Sequence, residues 1–351
     1  MFYVNQDVVE LNRIFDQNLR EGFLRLDLNE NPGGLPKEFI DDVLKDVDSE
    51  FVAKYPETEP FQRKLAAELG ITRDEIVLTN GSAEAIRHII EAFTSPGGEI
   101  ISVDPSYAMY AVYAKMYGRK HKKVPYRDGF TSSVSDIIDA ISDETQLVII
   151  LNPNNPVGDV YTDEEVKSII ECAQKHEAFV LIDEAYLYFA PSTFIDMAIS
   201  YDHVILTRTF SKLFSLAGCR LGYAVGKKEY VQLVQKLCTP HNVNAFGIRF
   251  ADRIISSDGM VEDMVAKQTE GKEYLIDTLR KEGYFVNAMG GNFVFVKTKK
   301  DAADVTDRLK NEEKILVKHY TDEKYKNYIR VTTGTKDIME KFVASLQKCD
   351  K

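Results

Sequence analysis

Signatures of a disulfide framework or a zinc site are missing from this sequence. Four cysteines, Cys172, Cys219, Cys238 and Cys349, are scattered through 351 residues without a CxxC pair. That fits a reducing compartment and gives no disulfide scaffold. The six histidines form no HExxH and no close pair, so no metal site is expected and individual core or surface roles are the reading for all ten residues. No apolar run approaches the roughly 18 residues that cross a membrane. Residues 1–10 lack the basic segment and apolar core of a signal peptide, so a cytoplasmic location is expected. Basic excess is also absent. Lys plus Arg is 44 against 55 for Asp plus Glu, a net charge of −11, which argues against binding nucleic acid through phosphate contacts. There is no 20–50-residue repeat and no low-complexity tract. Neither GxGxxG nor GxxxxGK occurs, so a nucleotide-dependent enzyme would lack its phosphate loop.

What is present is an ordinary globular composition, 44% hydrophobic and 28% charged, on a chain long enough for a large and a smaller domain. The first forty or so residues read as an irregular arm containing the turn formers Asn29-Glu30-Asn31-Pro32-Gly33-Gly34. Between about 74 and 226, short runs rich in Val, Ile and Leu (75–80, 99–104, 146–152, 179–184, 204–209 and 219–225) alternate with helical periodicity at 82–93 and 164–176. Continuous apolar strands of this kind are covered on both faces, as in a mostly parallel sheet with crossover helices. After about 244 a long amphipathic helix (260–281), three strands (292–297, 315–319 and 328–332) and a closing helix (337–348) are expected. The expected fold is α/β. A large domain with a mostly parallel, helix-covered sheet spans 46–243. A smaller α+β domain spans 244–351 and is joined by an arm over 1–45. Ligands of such sheets bind beyond the carboxyl ends of the strands, where Asn80, Asp104, Asn152, Asp183 and Thr209 fall.

Five segments near those ends, and one strand of the small domain, can carry chemistry. Thr209-Phe210-Ser211-Lys212 offers a lysine able to form a Schiff base, with Ser211 and Arg220 able to bind an anion. Asp183 ends a buried strand and needs a cationic or hydrogen-bonding partner, and a pyridinium nitrogen would serve. Tyr186 lies within reach of the same ligand. Asn155, in the rigid Asn152–Gly158 turn, can donate from its amide. Asn80-Gly81-Ser82-Ala83 is a strand–turn–helix junction whose free N–H groups attract a phosphate, unless Ser82 merely caps the helix. Tyr107 can stack on a flat ring. Arg330, between Ile329 and Val331, needs an anion such as a carboxylate. Each segment alone has a plainer reading as a loop, a cap, a packing tyrosine or an internal ion pair.

Together, in this order, they resemble the fold-type I pyridoxal phosphate aminotransferases, most closely the histidinol-phosphate aminotransferase group. The resemblance runs from Asn29-Glu30-Asn31-Pro32 to residues 330–335. It is most specific at NPNNPVG (152–158), DEAYLYF (183–189) and TFSKLFSLAGCRLGY (209–223). It implies pyridoxal 5′-phosphate as cofactor, with Lys212 as Schiff-base lysine and proton shuttle. Asp183 would pair with the pyridinium nitrogen, Asn155 and Tyr186 would bond the ring's phenolate oxygen, and Tyr107 would stack on the ring. Ser82, Ala83 (through its backbone), Thr209, Ser211 and Arg220 would form the phosphate cup. Tyr55 would reach the phosphate from the other subunit of a homodimer. Arg330 would grip the substrate's carboxylate or phosphate end, with Asn29 and Lys318 as further substrate contacts. Lys318 stands where the family often has arginine, and meets a phosphate as a point charge without the bidentate fork.

The implied reaction transfers an amino group from an amino acid or amino alcohol phosphate to a 2-oxo acid, with 2-oxoglutarate the expected acceptor. Two alternatives use the same scaffold. One is decarboxylation of a phosphorylated amino acid, since the bond broken at Cα depends on an angle that sequence does not display. The other is a non-catalytic ligand-binding module, against which the intact lysine, aspartate and arginine speak.

Overall fold

The computed structural model describes residues 2, 4–11, 20–127 and 130–351. Of the arm expected over 1–45, residues 1, 3 and 12–19 lie outside that description. The described strands are β1 (Leu24–Leu26), β2 (Ile76–Thr79), β3 (Glu99–Asp104), β4 (Lys120–Pro125), β5 (Thr145–Leu151), β6 (Phe179–Asp183), β7 (Val204–Thr209), β8 (Gly222–Gly226), β9 (Val286–Asn287), β10 (Phe293–Lys297), β11 (Ile315–His319) and β12 (Tyr328–Thr332). Seven form one sheet in the order β2-β8-β7-β6-β5-β3-β4, and five form another in the order β1-β11-β12-β10-β9.

In the large sheet the neighbours from β7 to β4 pair in parallel, and β8 alone runs antiparallel to both its neighbours. The apolar runs explain the layering. Alternate residues of β5 and β6 face opposite ways and both faces are buried. Val148, Ile150, Val180 and Ile182 pack on Ile169 and Ile170 of the helix Asp163–Lys175. Ile149, Leu181 and Ile205 pack on Ile86, Ile89 and Ile90 of the helix Ser82–Phe93. Burying a side chain of this size contributes roughly 1.5–3 kcal/mol. Because β8 is the only reversed strand, β2 points the same way as β7. The ends of β2, β6 and β7 and the start of β8 therefore share one edge, with Thr79 and Thr209 both in register with Gly222.

The smaller sheet is antiparallel except where β1 joins β11 in parallel. Its core packs Leu275 and Leu279 of the helix Met260–Lys281, and Met339, Phe342 and Leu346 of the helix Lys336–Cys349, against Val294, Val296, Ile329 and Val331. Among the described residues no helix is long and apolar enough to cross a membrane.

Two local expectations need correction, and strand β4 lies outside the expected apolar runs. The first forty residues are not uniformly irregular: they contain a turn of helix at Gln6–Val9, strand β1, and the start of the helix Lys37–Leu44. Strand β4 (KHKKVP) has no apolar run because it is an edge strand whose lysines face solvent, a common way of blocking edge-to-edge pairing. The strand expected from Cys219 begins only at Gly222. Ala217–Cys219 forms a 3-10 turn and Arg220 takes a left-handed conformation (φ 51°).

Gly222 lets β8 lie against the start of the helix Ser82–Phe93. A Cβ there would sit 2.5 Å from Ser82 N, 2.6 Å from Gly81 C and 2.8 Å from Arg208 O, all backbone atoms that cannot swing aside. At Gly218 a Cβ meets nothing within 4 Å. Gly222→Ala is therefore predicted to lower unfolding free energy by about 1–3 kcal/mol in urea titration, against less than about 0.5 kcal/mol for Gly218→Ala. Equal effects would show that this close approach does not constrain the fold.

Candidate active site

A cavity of about 390 Å³ opens at the shared strand edge. On one side it is floored by the start of the helix Ser82–Phe93. Gly81 (φ 74°) is the N-cap and makes no side-chain cap bond, so Ser82 does not cap the helix and the first N–H groups remain available to an anion. Ser82, Ala83, Thr209, Ser211 and Arg220 all line this end. The Thr209 and Ser211 hydroxyls lie 2.9 Å apart, and Arg220 Nη1 reaches Ser211 Oγ at 3.5 Å and the Ala217 carbonyl at 3.2 Å. The guanidinium rests against Gly81, where a Cβ would come within 2.6 Å of Nη2. Two hydroxyls, a guanidinium and a helix start form an anion cradle.

Across the floor lies Asp183, 2% exposed. Tyr110 Oη donates to its Oδ2 at 2.8 Å and the Ala185 N–H to its Oδ1 at 3.1 Å. No cation pairs with it among the described residues. Burial raises its pKa to about 6, although the hydrogen bonds from Tyr110 and Ala185 oppose the rise. Tyr186 is also buried. Its hydroxyl accepts from Asn29 Nδ2 at 2.9 Å, and burial pushes its pKa up to about 12. Asn29, itself left-handed (φ 58°), is fixed by Thr332 Oγ1, which accepts its N–H, and by Asn292 Nδ2, which donates to its carbonyl. Tyr107 lines the cavity, edge-on to Tyr110 with centroids 5.4 Å apart.

The Lys212 ammonium donates to the Leu28 carbonyl at 3.1 Å and lies 5.6 Å from the Tyr186 ring centre. Burial, then the nearby Arg330, lower its pKa to about 8, with Glu30 opposing. A useful fraction of this amine is therefore neutral, and nucleophilic, near neutral pH. Arg330 is buried. Its Nη1 donates to Asn155 Oδ1 and its Nη2 to the Asp27 carbonyl, both at 2.6 Å, while its Nε has no partner among the described residues. Lys318 is the cross-strand neighbour of Arg330 in the β11–β12 ladder and faces the same cavity.

The fold thus gathers Asn29, Ser82, Ala83, Tyr107, Asn155, Asp183, Tyr186, Thr209, Ser211, Lys212, Arg220, Lys318 and Arg330 around one cavity. Tyr55 is elsewhere in its own chain, 76% exposed and stacked on His241 at 4.3 Å. Of the five polar strand ends, only Asp183 and Thr209 enter the cavity. The Asn80 N–H is bonded to Glu84, Asp104 pairs with Lys123, and Asn152 Oδ1 accepts the Tyr161 N–H. Sequence reasoning missed Tyr110, Leu28, Asp27 and Tyr320, the last of which also lines the cavity. Tyr110 had a faint signal, three residues after Tyr107 on a helical face. Tyr320 follows Lys318 by two, the period of a strand. Leu28 and Asp27 act through main-chain carbonyls, which no side-chain pattern reveals.

The family model described as Aminotransferase class I and II matches residues 21–346. The chain belongs to this family. The aminotransferase is 32% identical over 329 residues to a histidinol-phosphate aminotransferase of Caldanaerobacter subterraneus subsp. tengcongensis, covering 92% of each chain. Its fold matches the histidinol-phosphate aminotransferase of Clostridium acetobutylicum with a TM-score of 0.82 at 26% identity, covering 93% of this chain and 99% of that one. It also matches that of Sinorhizobium meliloti in complex with pyridoxal-5′-phosphate, with a TM-score of 0.84 at 23% identity over 93% and 90% of the two chains. The aminotransferase depends on pyridoxal phosphate, and its donor set fits that cofactor. A buried carboxylate without a cation suits a pyridinium, the anion cradle suits a phosphate, and an amine of lowered pKa suits an aldehyde.

Asp183 carries a testable signature. Ionisation is penalised in the folded state, so the penalty is complete above pH 6 and disappears as pH falls to the unfolded value near 4. Asp183→Asn can keep both hydrogen bonds, because its amide can donate to Tyr110. In apoprotein it is predicted to raise unfolding free energy by up to roughly 3 kcal/mol at pH 7–8, with the gain shrinking below pH 6, while cofactor affinity falls. Denaturant titration across pH checks this. A destabilised apo variant at pH 7–8 would contradict the unpaired-carboxylate account.

Proposed function

We propose that the enzyme moves an amino group between an amino alcohol phosphate of the histidinol-phosphate kind, or an amino acid, and a 2-oxo acid, with 2-oxoglutarate as acceptor. The observation that carries this reading is the Arg330–Lys318 pair. Two cations sit side by side on adjacent strands, facing the cavity, with no carboxylate in ion-pairing range of either among the described residues. Such a pair calls for a strongly anionic ligand, and a phosphate or carboxylate on the substrate supplies it.

The roles of the chain's own groups follow from their placement. Pyridoxal phosphate, when bound, supplies an electron-poor ring conjugated to the carbon that exchanges a proton. Ser82, the Ala83 N–H, Thr209, Ser211 and Arg220 would hold its phosphate. Asp183, kept in place by Tyr110, would hold the positive charge of the ring nitrogen. Asn155 and Tyr186 would bond the ring oxygen, and Tyr107 would cover the ring. Lys212 would carry the cofactor, and its Nζ, when free, would take up and return the migrating proton. Its lowered pKa makes both directions accessible near neutral pH. Asn29 orients the Tyr186 hydroxyl beside the substrate. Arg330 and Lys318 grip the substrate anion.

The exposed position of Tyr55, outside its own chain's cavity, suits a homodimer in which the partner's Tyr55 reaches the cofactor phosphate. The same reading divides the chain into an arm (1–45), a large cofactor domain (46–243) and a small domain (244–351). It places the enzyme in the cytoplasm, where the four free thiols stay reduced.

A half-reaction screen tests the substrate claim. Amino acids and amino alcohol phosphates are mixed with holoenzyme while the cofactor's visible absorption and carbon dioxide release are followed. A phosphorylated donor is predicted to react with no carbon dioxide and to need a 2-oxo acid for turnover. Arg330→Ala is predicted to raise KM about 10–100-fold and Lys318→Ala about tenfold, with cofactor retained. Unchanged KM in both variants would sink the substrate reading, and carbon dioxide released without an oxo acid would replace it with decarboxylation.

A further inference from the structure

A second cluster of ligating groups lies outside the cavity, behind the helix that begins the anion cradle. Glu84 and His88 stand one turn apart on the helix Ser82–Phe93, and Cys238 follows the helix Lys228–Leu237. The sequence offers no close His or Cys spacing, yet the fold brings a carboxylate oxygen, an imidazole nitrogen and a thiol sulfur within 4.8 Å of one another.

The imidazole is the informative member. His88 is 2% exposed, and neither ring nitrogen has a hydrogen-bond partner among the described residues. Its Nε2 lies 4.0 Å from Glu84 Oε1 and its Nδ1 lies 3.7 Å from Glu91 Oε2. Both are beyond hydrogen-bond length, and a buried ring with two unmet nitrogens is costly. Glu91 Oε2 is already taken by the Tyr117 hydroxyl at 2.9 Å. Glu84 uses Oε2 for the Asn80 N–H and for Asn242 Nδ2, both at 2.7 Å, and turns Oε1 toward His88. Among the described residues the Cys238 thiol donates only to the Val234 carbonyl in the last turn of the preceding helix, at 3.5 Å. Arg87 is a neighbouring cation, but the carboxylates of Glu84 and Glu91 outweigh its charge.

We propose that Glu84, His88 and Cys238 form a site for a borderline-soft divalent cation of the zinc class. The donor set of one nitrogen, one sulfur and one oxygen is what such ions take, whereas magnesium and calcium prefer oxygen alone. Zinc holds its ligands at about 2.0–2.3 Å, which sets neighbouring ligand atoms about 3.3–3.7 Å apart. The observed cluster needs a contraction of about an ångström, within the reach of side-chain rotation. A cavity of about 240 Å³ lined by Gln62, Val77, Cys238, His241 and Asn242 opens the sulfur side of the cluster to an incoming ion. Each ion bound displaces the thiol proton to solvent. Through Glu84 the site is tied to the Asn80 backbone, two residues before Ser82. The inference is independent of the substrate reading.

The test uses holoenzyme treated with a chelator and then dialysed against zinc, with metal content measured directly. One zinc per chain with micromolar affinity or better is expected, undiminished by excess magnesium. Zinc is expected to protect Cys238 from iodoacetamide, read by peptide mass in the unmutated protein. His88→Gln and Cys238→Ser should each weaken binding at least tenfold. No stoichiometric zinc, full alkylation of Cys238 with zinc present, or equal uptake by both variants would overturn the proposal.

Discussion

The active-site edge keeps opposite charges apart. Asp183 is a buried carboxylate with no cation, while Lys212, Arg220, Arg330 and Lys318 are cations with no carboxylate in ion-pairing range among the described residues. Arg220 and Lys318 remain open to solvent, but burying a charge without an opposite one is unfavourable, and it shows in the upward displacement of the Asp183 pKa and the downward displacement of the Lys212 pKa. A ligand with a basic ring nitrogen at one end and a phosphate at the other relieves the separation. The free energy withheld from folding is then available for binding.

Maintaining that separation takes dedicated contacts. Asp27 and Glu30 lie far from Lys212 and Arg330 in sequence, but the fold brings their segment against both cations, and Arg20 engages the two carboxylates at 2.6 Å. Arg330 consequently meets the carbonyl of Asp27 rather than its carboxylate. The segment carrying these residues is pinned at both ends. Asn31 Nδ2 donates to Ser215 Oγ at 2.7 Å, its Oδ1 accepts from Gln268, and Asn29 is fixed by Thr332 and Asn292. Turn formers that look like a loose arm in sequence thus form a rigid cover joining the two sheets over the amine.

Most of the fold was legible because both faces of the large sheet are buried. Runs such as LVIIL and FVLID have no other soluble home, and Glu99–Asp104 and Val204–Thr209 were read at their observed bounds. Strands that lack such burial were invisible: β1 has three residues and half of β4 is lysine. The cavity residues were legible through motif order, since Lys212, Asp183 and Arg330 are types that a bland loop or strand seldom places together. Partners acting through the backbone, such as Leu28, left no trace. The conformation of Arg220 was hidden too, because its left-handed turn serves the cradle and breaks the strand that apolar residues at 221–225 suggested.

The account rests on one amine, made available by burial beside other cations. Its most direct measurement is borohydride reduction of the holoenzyme followed by digestion and peptide mass analysis. The cofactor's mass is predicted on the peptide that contains Lys212, and on no peptide from a Lys212→Ala protein that still folds. Cofactor mass on another lysine, or none on Lys212 in fully loaded protein, would contradict the account.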